Sequence, residues 1–157
     1  MTVRIVPADL DDPRVALLLD EHLAQMEPTA PPESRHALTA DQFRMPGVRL
    51  WVAERENGSG TTLLGTFALK DPEPGHLEIK TMRVTASARG LGLGRMLLDH
   101  ALTEARHSGA ARVSLETGVV SVFDVARALY AGAGFTPRAP FGAHRRDRHS
   151  VFLALVL

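Results

Sequence analysis

A chain of 157 residues in which 18 Lys and Arg balance 18 Asp and Glu carries no net formal charge, which argues against strong non-specific attraction to nucleic acid. Hydrophobic residues make up 45% of it, in keeping with one domain over residues 1–157 around a packed core, and no apolar run approaches the ~20 residues of a membrane span. Cysteine is absent, so disulfides and thiol catalysis are excluded and any metal would need His and carboxylate ligands.

The opening stretch, Met1-Thr2-Val3-Arg4-Ile5-Val6-Pro7, lacks the apolar segment of a secretory signal, so a cytoplasmic location is expected. Val3 to Val6 reads as a short strand. Asp12-Pro13 starts a helix with an acidic N-cap and proline at the first helical position. Val15, Leu18, Leu19, His22, Leu23 and Met26 then fall on one helical face. Pro28, Pro31 and Pro32 end it. A second short helix is expected from Thr39 to Arg44, stopped by Met45-Pro46-Gly47. Strands Val48 to Glu54 and Thr61 to Lys70 follow, joined by the turn-forming Glu56-Asn57-Gly58-Ser59-Gly60. Asp71 to Gly75 turns into a third strand, Leu77 to Val84.

Between that strand and a helix from Met96 to His107 lies Arg89-Gly90-Leu91-Gly92-Leu93-Gly94-Arg95. A glycine-rich turn that opens a helix presents bare N–H groups and the positive end of the helix dipole, which together favour phosphate. The helix carries a core stripe of Leu97, Leu98, Ala101, Leu102 and Ala105, with Gly109 as its stop. Arg112 to Thr117 reads as a strand. Val122, Val125, Ala126, Leu129 and Tyr130 form one helical stripe, ended by Gly132 and Gly134. A further strand is expected near Phe135 to Arg138 and a last one from Ser150 to Val156. The order β-α-α-β-β-β-α-β-α-β predicts an α/β fold, a mixed sheet with helices on both faces.

Three motifs occur in sequence: Glu78-Ile79-Lys80-Thr81-Met82-Arg83-Val84, then Arg89-x-x-Gly92-x-Gly94, then Ala126-x-x-Leu129-Tyr130-x-x-x-Gly134-Phe135. In this order and spacing they resemble the GNAT superfamily of N-acetyltransferases. The flanks, Pro31 to Leu38, Leu115 to Gly118, Phe141-Gly142 and Ser150-Val151-Phe152, resemble one small bacterial branch of it. The resemblance implies a GNAT-like fold with acetyl-CoA as cosubstrate and no metal. It implies transfer of acetyl to a primary amine, on a small molecule or a peptide, and leaves a homodimer open. Cofactor contacts would come from Met82, Arg83 and Val84, with the exposed backbone of Met82 and Val84 pairing with the pantetheine arm where parallel strands splay apart after this segment. They would come also from Arg89, Gly90, Leu91, Gly92, Leu93, Gly94 and Arg95, around the pyrophosphate. A β-bulge is implied in the Glu78 to Val84 strand. One departure stands out: many members have asparagine where this chain has Phe123, which puts a side-chain contact to pantetheine there in doubt.

Tyr130, the chain's single tyrosine, falls where GNAT enzymes often place a general acid; it also suits a core position. Glu78 is the candidate base for the protonated amine, or else a strand acid paired with Lys80 or Arg83. Glu116 ends a neighbouring strand at the same edge and is the second candidate carboxylate. Glu33, Ser34 and His36, polar groups among prolines, are expected on the acceptor side, where Ser34 could equally cap a helix. The seven histidines show no zinc spacing, and His144-Arg145-Arg146-Asp147-Arg148-His149 reads as a solvated loop or a contact for an acidic acceptor or a second subunit. Two other readings stay open: a CoA-binding sensor without transfer activity, and a nucleotide-binding domain. The latter fits poorly, because the glycines run Gly-x-Gly-x-Gly rather than Gly-x-Gly-x-x-Gly.

Overall fold

A computed structural model describes residues 2–157 of the chain. Its strands are β1 (Val3–Pro7), β2 (Val48–Glu56), β3 (Thr61–Glu73), β4 (His76–Val84), β5 (Arg112–Gly118), β6 (Thr136–Pro137) and β7 (Ser150–Val156). The α-helices are α1 (Pro13–Met26), α2 (Leu93–His107) and α3 (Asp124–Gly132). The strands form one seven-stranded sheet in the order β1-β2-β3-β4-β5-β7-β6. Only β4 and β5 run parallel; the other neighbours are antiparallel.

Period-two alternation sorts the side chains onto two faces. Trp51, Ala53, Phe67, Leu69, Leu77, Ile79, Val113 and Leu115 meet Leu97, Leu98, Ala101, Leu102 and Ala105 of α2. Leu50, Val52 and Ala68 point the other way, onto Val15, Leu18 and Leu19 of α1. Helices therefore cover both faces, as the sequence predicts. Along β4 the residues opposite Leu77 and Ile79, namely His76, Glu78 and Lys80, face the α1 side.

Several local expectations change. The second short helix is a 3-10 turn, Ala40–Arg44. Its start is held by the Gln42 side chain, which accepts the Thr39 N–H at 2.8 Å, and Pro46 follows too soon for an α-helix to propagate. β3 and β4 run up to a tight Pro74-Gly75 turn, with Gly75 at φ +74°. Helix α2 starts at Leu93 rather than Met96. The expected apolar stripe of α3 is split: Val122 and Val125 are 70% and 82% exposed. Val122 lies in a 3-10 turn, Ser121–Phe123, before the helix. Val125 sits roughly 90° round the axis from the centre of the stripe formed by Ala126, Leu129, Tyr130 and Ala133, the residues that meet the core.

The bulge in β4 is present. Thr66 pairs with Arg83 and Ala68 with Lys80, so Thr81 and Met82 together oppose Phe67. Thr81 has φ +54°, a left-handed conformation that is strained for a β-branched residue.

Candidate active site

The site begins where two parallel strands come apart. β4 and β5 pair from His76 with Arg112 to Ile79 with Leu115, and no further. Beyond that point β5 stays bonded to β7, Glu116 to Phe152 and Gly118 to Ser150, while the bulge at Thr81 re-aims β4. The parting comes earlier than the sequence led one to expect, at Lys80 rather than after Met82 to Val84. One edge of Lys80 to Val84 is thereby left without a strand partner. The cleft cuts through the sheet, with Thr81, Met82 and Glu78 on one wall, Glu116 and Gly118 on the other, and Tyr130 of α3 beside them.

The glycine loop stands at the end of β4. Gly90 and Gly92 both have φ +78°, and a Cβ on either would meet nothing within 4 Å. Conformation and open approach, rather than crowding, call for glycine there. The first α2 amide bonded within the helix is that of Met96, to the Gly92 carbonyl at 3.2 Å. The N–H groups of Leu93, Gly94 and Arg95 therefore have no intrahelical acceptor. The buried Leu93 side chain packs with Leu64 and Ala88 and anchors the loop from below, whereas Leu91 is exposed. Gly94 lies where a Cβ would touch Leu129 Cδ2 at 3.4 Å, so α2 and α3 approach closely. These features fit a diphosphate bound through backbone donors.

The three arginines nearby differ. Arg89 is exposed and has no ion-pair partner among the described residues. Arg95 bonds Asp99 at 3.0 Å. Arg83 turns its guanidinium to α1, 3.4 Å from the Leu18 carbonyl and 3.6 Å from Glu21, and burial lowers its pKa. Arg83 thus leaves only its backbone for a ligand in the cleft. Met82 and Val84 likewise pack their side chains on the core.

Tyr130 is 7% exposed and packs its ring on Phe135, with centroids 5.7 Å apart. It lines the cleft, and its hydroxyl has no hydrogen-bond partner among the described residues. Burial, with the Glu116 charge nearby, pushes its pKa up to about 12. It is therefore a neutral donor across the physiological range.

Glu78 is 3% exposed. Its Oε2 receives His144 Nε2 at 2.7 Å and Lys80 Nζ at 3.4 Å. Burial pushes this carboxyl up, but the His144 hydrogen bond and the Lys80 charge outweigh it and hold the pKa below its ordinary value. Both the expected pairing with Lys80 and a position in the cleft are realised. Glu116 accepts the Ser150 hydroxyl at 2.9 Å. Ser34 and His36 line the cleft. Ser34 caps no helix; it hydrogen-bonds Asp147 instead. Glu33 is exposed and lies outside the cleft walls. His22 is a wall residue, held neutral with a pKa of about 4 by burial and the Arg83 charge.

His144 and Arg35 are site residues that sequence reasoning missed. The loop after β6 is no free charged segment. Phe141 is buried against His76, His144 and Phe152 at centroid distances of 5.3, 4.9 and 6.0 Å, and Arg138 reaches Ser114 at 3.2 Å. Phe141 is the signal that could have been read: an aromatic residue just before a charge run anchors it. The ring of Phe123 lies so close over Gly118 that a Cβ there would run into it, so at this position an aromatic cover replaces an amide. Among the described residues no three His, Asp or Glu side chains gather as a metal site, and no helix is long and apolar enough to cross a membrane.

Known proteins are similar to this chain in sequence and fold. Residues 15–135 match the model of the acetyltransferase (GNAT) family. The uncharacterized N-acetyltransferase YsnE of Bacillus subtilis (strain 168) is 40% identical over 145 residues, 92% of this chain and 93% of that protein. An IAA acetyltransferase of Azospirillum brasilense is 39% identical over 147 residues, 92% of this chain and 90% of its own. A Bacillus subtilis acetyltransferase solved in complex with CoA has the same fold, with TM-score 0.69 and 22% identity over 99% of each chain.

Proposed function

From the premise that the chain belongs to the acetyltransferase (GNAT) family and is an acetyl-CoA-dependent N-acetyltransferase, we propose that it acetylates a primary amine by direct attack in a ternary complex. The observation that carries this reading is the parting of β4 from β5 after Ile79 and Leu115. It leaves a strand edge open between the glycine loop and a pair of candidate proton-handling groups, Glu78 and Tyr130. The pantetheine arm adds to the free edge of Met82 to Val84 like an extra strand. The phosphates sit on the amides of Leu93, Gly94 and Arg95, with Arg89 beside them.

The amine arrives as an ammonium ion. Glu78, ionised at neutral pH, takes its proton directly or through water, and the hydrogen bond from His144 at 2.7 Å holds the carboxylate in place. The nitrogen lone pair then attacks the thioester carbon, and a backbone N–H at the Thr81–Met82 bulge faces the developing oxyanion. The intermediate collapses with the electrons of the C–S bond passing to sulfur. Tyr130 offers its hydroxyl to that sulfur. The second amine proton ends on the thiol or in solvent, giving an N-acetyl product, CoA and one released proton. With cysteine absent, an acyl-enzyme step has no thiol nucleophile.

A screen of primary amines that follows release of free CoA thiol tests the proposal. Turnover with at least one amine, lost in Glu78→Gln and reduced in Tyr130→Phe, is the expected result. Tight CoA binding with no turnover across the library would make the chain a CoA-binding sensor instead.

A further inference from the structure

One charged group in the cleft has nothing to hold. Arg35, on the segment between α1 and β2, lines the cleft beside Ser34 and His36. Its Nε is shut off from solvent without a hydrogen-bond partner, and its guanidinium is in no ion pair among the described residues. The other lining charges are engaged. Lys80 is met by Glu78 at 3.4 Å, Glu78 is met also by His144 at 2.7 Å, and Glu116 takes the Ser150 hydroxyl at 2.9 Å. His22 is neutral, with its pKa lowered to about 4 by burial and the Arg83 charge. A second unmatched donor lines the same cleft: the Thr81 hydroxyl, on a residue 7% exposed, is enclosed and unpartnered.

Sealed donors without partners weaken a fold unless a ligand satisfies them. A guanidinium fork matches a planar carboxylate. The CoA phosphates are a poor candidate for Arg35, because no residue of the glycine loop, 89–95, lines this cleft. A phosphate dianion on the acceptor would face Glu78 and Glu116 with, among the described residues of the lining, a single unpaired cation to balance it. A carboxylate carries one charge and leaves the two glutamates for the ammonium end.

We propose that Arg35 binds a carboxylate of the acceptor, so that the amine acetylated in this cleft is also an acid, of the amino-acid class. This rests on the acyl-transfer reading of the cleft and adds the substrate class. Arg35 thereby sets specificity and takes no part in the chemistry.

The test uses CoA-saturated protein titrated calorimetrically with the twenty N-acetyl amino acids, the products of such a reaction, and with the corresponding C-terminal amides. At least one acid should bind at least ~10-fold more tightly than its amide, the low end for a charge-assisted pair. Arg35→Gln should abolish that preference, Arg35→Lys should keep part of it, and both variants should bind CoA and melt as the wild type does. The proposal falls if no acid binds better than its amide, if the preference survives in Arg35→Gln, or if that variant loses CoA affinity by ~10-fold, which would make Arg35 a phosphate contact. Thiol release from acetyl-CoA with the free amino acids is read in parallel. Acid-selective binding without release sinks the transfer reading and leaves the carboxylate site. Equal turnover of amino acids and their amides does the reverse.

Discussion

The cofactor loop and the cleft beside it, the two ends of the site, are built from different materials. The glycine-loop end is one continuous stretch, Arg89 to Arg95, whose ligand-facing groups are backbone amides at the start of α2. The acceptor end is assembled from side chains of distant segments: His22 and Arg35 from around α1, Glu78 and Lys80 from β4, Glu116 from β5, His149 before β7. A backbone site tolerates changes of side chain and fails when φ is changed. A side-chain site fails one residue at a time and can be retuned for a new acceptor while the cofactor end stands. Substitutions at the two ends should therefore separate cofactor affinity from turnover of the acceptor.

The largest effect is expected from Gly92→Val. The φ of +78° at Gly92 is unfavourable for any β-branched residue, and the new side chain would stand at the mouth of the amide cradle. Acetyl-CoA affinity should fall by about 10²-fold or more, the value of one or two charge-assisted hydrogen bonds. Binding of the acceptor's N-acetyl product to the free protein should change little. Calorimetry on a variant that still melts cooperatively checks this, and intact acetyl-CoA affinity would remove the loop from the cofactor site.

Glu78→Gln should come next, and on the other side of the comparison. With the base removed, kcat should fall by ~10²-fold while acetyl-CoA affinity holds. The pH dependence of stability gives a second readout. The Glu78 pKa is lowered in the folded state, so its contribution to stability is present above the ordinary carboxylate value of about 4.3 and is lost as pH falls through the lower folded value. Any Tm advantage of the wild type over Glu78→Gln should therefore shrink on acidification below ~4.3 and stay flat from there towards neutrality. A constant gap across that acid range would mean that the carboxyl is not held ionised.

The same contrast explains what could be read from the sequence. The strand and helix order, the α2 stripe and the glycine loop were legible because each is a local pattern of period two, period 3.6 or closely spaced glycines. The acceptor wall was only partly legible. Ser34 and His36 stood out as polar groups among prolines, but neither Arg35 with its unmatched Nε nor the bond of His144 to Glu78 across 66 positions leaves a local trace. The stripe assigned to α3 erred where a 3-10 turn, Ser121–Phe123, shifts the helical phase, an event that periodicity alone does not mark. The parting of β4 and β5 was placed too late because register depends on the partner strand β7.

Tyr130→Phe should give an intermediate effect and reports on the seam between the two ends. At a pKa of about 12, the phenol lies roughly 3.5 units above a thiol of pKa ~8.5. Full proton transfer to the departing thiolate is uphill, so the hydroxyl helps mainly as a hydrogen-bond donor, and one such bond to an anion is worth about 1.5–3 kcal/mol. The kcat loss should be about 10-fold or somewhat more, with Tm nearly unchanged because the ring stays packed on Phe135. Full kcat in the variant would leave Tyr130 as a wall of the cleft.

His36→Ala should give the smallest effect and the most diagnostic one for the acceptor end. The His36 ring meets His144 edge-on with centroids 5.0 Å apart, and His144 in turn holds Glu78. An aromatic edge contact is worth roughly 0.5–1.5 kcal/mol, so KM for the amine should rise by about 3- to 10-fold, with acetyl-CoA affinity unchanged. His36→Phe separates the two ways this can arise. Phenylalanine keeps an edge for His144 but has no nitrogen for the acceptor. If His36 acts by steadying His144, the Phe variant recovers the wild-type KM; if its imidazole touches the acceptor, the Phe variant behaves like the Ala one. Equal losses of amine and acetyl-CoA affinity in both variants would instead show that the segment between α1 and β2 braces the whole cleft, and the division into a backbone end and a side-chain end would not hold.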